Sequence, residues 1–178
     1  MLASTAMTPS PSTAFVVSQG EELLTGQTLD TNARFLCEAL TDLGLRVVGA
    51  TTAGDRREDI AAAFRRALDA ADVVVCTGGL GPTADDLTAE AAAEAFGRPL
   101  HLDAEALAQV EARYREVGRV MPEANRRQAM LPGGAVLLPN PVGTAPGFAL
   151  ETDGRWLYCV PGVPFEMRRM WAGQVLSH

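Results

Sequence analysis

The sequence predicts an α/β domain built on a mixed, mostly parallel sheet with helices on both faces. Three observations carry this. From Phe15 to Phe96, short apolar runs and amphipathic segments alternate as strand, helix, strand, helix, strand, helix, the pattern of parallel strands joined by helical crossovers. From Leu131 onward, a hairpin signal around Asp153-Gly154 adds antiparallel strands and makes the sheet mixed. Between these, the stretch VVVCTGGLGPTADDLT (Val73 to Thr88) runs from a buried-type strand through a glycine loop into a helix.

In chain order, residues 1–14 (MLASTAMTPSPSTA) are rich in Ser, Thr, Pro and Ala and read as a disordered tail, with Met7 as an alternative start. They lack the basic start and apolar centre of a signal peptide. Residues 15–178 read as one domain without repeat or linker. Phe15 to Ser18 is a short strand, followed by a turn carrying Glu21 and Glu22. Leu29, Ala33, Leu36, Leu40 and Leu43 recur at helical spacing, and Gly44 ends that helix. Leu45 to Thr52 is the next strand. Asp55 and Glu58 have capping-box spacing before a helix with Ile60, Ala63, Phe64, Ala67 and Leu68 on its apolar face.

The strand and loop from Val73 lead into a helix over Ala89 to Phe96, stopped by Gly97 and Pro99. Asp103 caps a further helix with Leu107, Val110, Tyr114 and Val117 on one side, and Pro122 suits the first turn of a short helix running to Met130. Val136 to Leu138 is a strand. Asn140 to Gly147 is a rigid loop. Phe148 to Glu151 and Trp156 to Val160 flank the hairpin turn, which Thr152 and Arg155 would lengthen if unpaired. Pro161 to Pro164 is another rigid loop, and Phe165 to Leu176 is the last helix.

Bulk properties narrow the function. The chain of 178 residues has 47% hydrophobic and 21% charged residues, ordinary for a soluble globular domain with a real core. A net charge of −7 argues against nucleic acid or an anionic membrane as the main partner. All 15 basic residues are arginine, which excludes a Schiff-base lysine, a Walker-A lysine and a Ser-x-x-Lys nucleophile. Cys37, Cys76 and Cys159 are far apart, odd in number and in apolar settings, so they read as small buried hydrophobes of a cytoplasmic protein. His101 and His178 have no partner spacing for zinc.

The loops after the first three strands fall at one end of a parallel sheet, where open α/β sheets bind ligands. They bring Glu22, Asp55, Asp85 and Asp86 to that end. Clustered carboxylates repel one another unless a cation or donor neutralises them. Mg²⁺ or a similar divalent ion, held by one or two carboxylates plus phosphate, answers that need. The amides of Gly78, Gly79 and Gly81 can approach an anion, and the following helix adds the positive end of its dipole. The expectation is a pocket for a phosphorylated small molecule. Simpler readings stay open beside it: Asp55 as a helix cap, Asp86 or Thr88 capping the next helix, and Gly78-Gly79 as a tight turn. GG-x-GP is not a dinucleotide fingerprint, so NAD is not inferred.

Four motifs then coincide: Gly20-Glu21-Glu22-Leu23-Leu24 with Asp30-Thr31-Asn32; Gly78 to Thr88; Asn140 with Gly143 to Phe148; and Pro161 to Met167. In this order they resemble the N-terminal domain of the CinA-type competence/damage-inducible family, within the molybdopterin-binding superfamily. Glu21 stands where that family more often has Asp. The resemblance spans Phe15 to about Met170.

It implies a three-layer α/β/α domain and a nucleotide or pterin ligand whose phosphate lies by Glu22, Asp55, Asp86 and the Gly78 to Thr83 loop. It also implies a divalent metal ion at Glu22, Asp55 and Asp86, and a homo-oligomer, dimer or trimer. The ligand-contacting set expected is Glu22, Gly78, Gly79, Gly81, Thr83, Asp85, Thr88, Asn140, Gly143 and Thr144. The activity implied is metal-dependent hydrolysis of an ADP-ribose-like pyrophosphate, with Asp86 first and Asp55 second as catalytic acids. Molybdopterin adenylylation and ligand binding without catalysis are the alternatives. The amidase domain of longer family members is not expected here, which leaves a fragment, a truncated gene or a stand-alone domain as origins of the chain.

Overall fold

A computed structural model describes residues 11–178. The expectations about residues 1–10, including Met7, lie outside the described residues. The elements are β1 (Thr13–Gln19), α1 (Glu21–Leu24), α2 (Thr31–Asp42), β2 (Arg46–Ala53), α3 (Arg57–Ala70), β3 (Val73–Thr77) and α4 (Thr88–Ala95). Then come β4 (Leu100–Leu102), α5 (Ala104–Glu116), a 3-10 segment (Glu123–Ala129), β5 (Met130–Pro132), β6 (Val136–Leu138), β7 (Gly147–Thr152), β8 (Arg155–Val160) and α6 (Pro164–Met170). A π-helical turn, Trp171–Val175, continues α6.

The main sheet has the order β2-β1-β3-β8-β7-β6. The first four strands are mutually parallel, and β7 runs antiparallel to both β8 and β6. Alternation decides the layers. Val74 and Cys76 of β3, with Leu157 and Cys159 of β8, pack under α3 and α4 with Ile60, Phe64 and Ala92. Val73, Val75, Tyr158 and Val160 face the other way, against Leu36 and Leu40 of α2 and Met167 and Met170 of α6. A strand buried on both faces reads as the continuous apolar run seen at Val73–Cys76. The result is a three-layer α/β/α sandwich.

Several local expectations are corrected. β1 begins at Thr13, not Phe15, because Ser12 and Thr13 are tied to the Asp72 carboxylate and Ala14 is buried. Asp55 does not cap α3; the helix starts at Arg57 after an extended Arg56, and the Asp55 carboxylate is engaged elsewhere. Neither Asp86 nor Thr88 caps α4, whose N-cap position is Leu87. Leu29 and Leu43 lie outside α2 and are exposed, so its buried face is Leu36 and Leu40. Val117, expected on the buried side of its helix, is exposed. Thr152 pairs with Arg155, so the hairpin loop is Asp153-Gly154 alone, both with φ positive (51° and 77°) as a type I′ turn requires. His101 lies in β4, which pairs with β5 in a separate two-stranded ladder. The Cys37, Cys76 and Cys159 thiols are free; Cys76 and Cys159 are buried register partners, whereas Cys37 is half-buried.

Candidate functional site

β1 and β3 are adjacent, and the chain leaves them in opposite directions, to β2 on one side and to the rest of the sheet on the other. That reversal opens a crevice beyond their carboxyl ends. A cavity of about 580 Å³ lies there. Its floor is polar because each strand ends in a polar residue: Gln19 closes β1 and Thr77 closes β3, both buried.

Gln19 is the hub. Its Nε2 donates to Asp55 Oδ1 (3.2 Å) and to the carbonyl of Asp85 (3.2 Å), while its Oε1 accepts from the Thr88 hydroxyl. Thr88 Oγ1 also reaches the Gly78 carbonyl (2.9 Å). The glycine loop is therefore fastened to the end of β1. Glycine is required here. Gly78 and Gly79 have φ of 109° and 64°, and a Cβ on Gly79 would collide with Gln19 and Thr88.

Gly78 N–H is taken by the Val160 carbonyl (3.0 Å), and Thr83 N–H by Asp86 Oδ2 (2.8 Å). The amides of Gly79, Leu80 and Gly81 have no protein acceptor among the described residues, so they stand available for an anion. Asp86 Oδ2 also accepts from the Thr83 hydroxyl (2.5 Å). Asp55 Oδ2 accepts from Glu21 N–H (3.2 Å). Asn32 Nδ2 donates to Thr77 Oγ1 (3.1 Å) and the Gly162 carbonyl (2.8 Å), joining α2 to β3 and to the loop after β8.

Of the residues expected to contact ligand, Glu22, Asp55, Gly78, Gly79, Gly81, Thr83, Asp85, Asp86 and Thr144 line this cavity. Thr88, Asn140 and Gly143 do not. Thr88 is wholly buried under the loop by the bonds just given. Asn140 is buried as well: Nδ2 donates to Ala145 O (2.8 Å) and Glu166 Oε2 (2.8 Å), and Oδ1 accepts from the amides of Val142 (3.1 Å) and Gly143 (2.9 Å). It shapes the loop and orients Glu166.

The expected metal set is also not assembled. Among the described residues no group of three or more His, Cys, Asp or Glu side chains could hold a metal ion. Glu22, Asp55 and Asp86 line one cavity without forming a resident cage.

Sequence reasoning missed Gln19, Thr77, Gln128 and Glu166. A polar residue closing an apolar strand was the available signal for Gln19 and Thr77. Glu166 lay within the last motif. Nothing local marked Gln128, which arrives from the 3-10 segment. The lining carries six carboxylates, Glu22, Asp30, Asp55, Asp85, Asp86 and Glu166, and no arginine or histidine.

These features define an α/β/α domain with an acidic cavity at the switch point of a parallel sheet. The chain belongs to the family described as "Probable molybdopterin binding domain", whose profile matches residues 15–178. It is 51% identical over 163 residues to a CinA-like protein of Gemmatimonas aurantiaca, an alignment covering 90% of this chain and 38% of that protein. A CinA-like protein of Shewanella woodyi is 46% identical over 155 residues, with 87% and 37% covered. The chain thus spans less than two fifths of the length of these two relatives, 38% and 37%. Among solved structures, a CinA of unknown function from Thermoplasma acidophilum superposes with a TM-score of 0.88 at 36% identity, covering 93% of this chain and 98% of that one. The tungsten-cofactor-synthesising MoaB of Pyrococcus furiosus, at 19% identity and a TM-score of 0.61 over 96% of each chain, shares the fold.

Proposed function

We propose that the cavity binds a phosphorylated nucleotide, with metal-dependent hydrolysis of an ADP-ribose-like pyrophosphate as its reaction. The observation that carries the reading is the pairing of three uncommitted backbone amides, Gly79 to Gly81, with the acids lining the same cavity. The amides suit a phosphate oxygen. A phosphate seated beside these acids would need a compensating cation, and Mg²⁺ needs only one or two carboxylates when phosphate supplies its other ligands. Asp86 and Asp55 are the carboxylates that would hold such an ion, which supplies charge neutralisation and activation of water when bound. The chain's own part is to seat the phosphate on the loop and keep Asp86 fixed through Thr83.

The test is isothermal calorimetry with ADP-ribose, with and without Mg²⁺, Mn²⁺ or Co²⁺, followed by a coupled phosphate-release assay. Cation-dependent binding and turnover support the proposal. Binding without turnover under all three ions leaves a ligand-binding module. No binding sinks the nucleotide reading.

A second reading has its own support. A wall of carboxylates without a basic residue also suits a heterocycle rich in N–H donors, as a pterin is. Molybdopterin-type ligands binding more tightly than ADP-ribose in the same calorimetry would reverse the order. A homo-oligomer and a cytoplasmic setting belong to the proposal too. Among the described residues no helix is long and apolar enough to cross a membrane. A monomeric mass in analytical ultracentrifugation would remove the oligomer.

A further inference from the structure

The cavity has no basic side chain in its lining, yet an arginine stands directly behind the glycine loop. Arg127, on the 3-10 segment, donates from Nη1 to the Thr83 carbonyl (2.5 Å) and from Nη2 to the Asp86 carbonyl (3.2 Å). Nη2 also pairs with Glu90 Oε1 of α4 (3.0 Å), and both side chains are largely shielded. The neighbouring Gln128 donates from Nε2 to the Leu80 carbonyl (3.3 Å) and to Thr144 Oγ1 (3.4 Å). Asn125 Nδ2 holds Gln128 Oε1 (2.8 Å), which fixes the amide so that its donor end faces the loop. A second, much smaller cavity of about 10 Å³ lies between these side chains and the loop.

Two consecutive side chains thus grip three carbonyls of the loop, at Leu80, Thr83 and Asp86. A trans peptide is planar, so its C=O and N–H point in opposite directions. Drawing the Leu80 carbonyl toward Gln128 turns the Gly81 N–H away from Gln128. Holding Thr83 O and Asp86 O on one planar guanidinium sets the spacing of the turn that carries the Asp86 carboxylate, whose own N–H closes that turn on Thr83 O (3.2 Å). A fork can bridge two carbonyls; an ammonium is a point charge and lacks that geometry.

We propose that Arg127, with Gln128, is the positioning device of the ligand loop: Arg127 from behind the loop and Gln128 from the cavity lining hold main-chain carbonyls so as to present the Gly81 amide and the Asp86 carboxylate to a phosphate-bearing ligand. Arg127 does not line the cavity. The inference rests on the nucleotide reading only for what the loop binds; the positioning of the loop is independent of it.

The experiment uses the whole chain, with Arg127→Met and Arg127→Lys. Amide hydrogen exchange read by mass spectrometry needs no ligand. In Arg127→Met the peptides carrying the Thr83 and Asp86 amides, which close the turn, should exchange about tenfold faster, as expected for the loss of loop-closing hydrogen bonds, while β3 peptides keep their protection. Arg127→Lys should follow Met and not wild type, because it retains the charge facing Glu90 but not the fork. ADP-ribose affinity, measured by calorimetry on folded protein, should fall about tenfold in both, in proportion to the exchange.

Unchanged loop exchange in Arg127→Met, or a wild-type response in Arg127→Lys, overturns the proposal. So does accelerated exchange spread evenly through β3 and α4, which is the mark of a merely structural arginine. If Arg127→Met does not fold, Gln128→Leu reads the same loop through Leu80 alone: the Gly81 amide signal in 1H–15N spectra should move as its peptide plane is released, and an unmoved signal overturns the proposal. If wild type binds no ADP-ribose while loop exchange behaves as stated, the nucleotide reading fails and the positioning role stands.

Discussion

At the amino end of β3, Asp72 Oδ2 accepts from the N–H (2.8 Å) and hydroxyl (3.1 Å) of Ser12, and from the N–H (3.0 Å) and hydroxyl (2.8 Å) of Thr13. At the carboxyl end of the same sheet, Asp55 receives two bonds at 3.2 Å each, and Asp85 and Glu22 are exposed at the rim of a cavity. The difference separates two uses of one functional group. A carboxylate saturated with donors fixes chain position: the Ser12 amide, then the Thr13 hydroxyl, hold the Asp72 carboxyl down to about 2. A carboxylate short of donors remains open to a ligand. Gln19, buried at the cavity end and held by Thr88, is the framework residue that ties down Asp55 and the Asp85 carbonyl.

The comparison breaks most severely if the loop itself is displaced. Gly79→Ala forces a side chain into a left-handed conformation and against Gln19 and Thr88, at a cost of about 2–4 kcal/mol from strain and overpacking together. Chemical denaturation should register that loss, and calorimetry should find no residual ADP-ribose binding. A variant of native stability would mean the Gln19–Thr88 contact does not constrain the loop.

Asp86→Asn tests the acid that is held by Thr83 and also lines the cavity. It keeps the size of the side chain, so thermal stability should stay close to wild type. Turnover of ADP-ribose, or its cation-dependent affinity, should drop about a hundredfold, the scale of losing a charge that binds cation and substrate. An Asn variant with wild-type turnover would place Asp86 among the structural carboxylates.

Thr88→Val removes the hydroxyl that donates to Gly78 O and Gln19 Oε1. The orphaned buried acceptors should lower stability by about 1–3 kcal/mol. Urea unfolding midpoints would check this, and no change would imply that the loop holds by other contacts.

The smallest effect is expected at Asp72, and it depends on pH. A carboxyl whose folded pKa lies below its ordinary 3.8 stabilises the fold above that value, and the contribution disappears as pH falls toward about 2. Asp72→Asn should therefore be less stable than wild type at neutral pH by about 1 kcal/mol or less, since the group is solvent-screened. The gap should close between pH 4 and pH 2, as followed by thermal unfolding. A gap constant across that window would remove the distinction drawn between the two ends of the sheet.

The sequence by itself determined the alternation of strands and helices, the change to antiparallel pairing after Leu131, and the convergence of the Glu22, Asp55 and Gly78–Asp86 loops. All of these follow from periodicity and turn chemistry, which are local. Tertiary structure decided which polar residues face the cavity and which face the protein. Asp55 reads locally as a cap, but Gln19, 36 residues earlier in the chain, takes its carboxylate into the site. Thr88 and Asn140 carry the look of ligand residues, yet their hydrogen bonds close on buried backbone. Arg127 carries no local signal; it acts on Thr83 O from 44 residues away. Such assignments depend on which donor meets which acceptor across the fold, and the need to satisfy buried polar groups selects those partners only once the layers have packed.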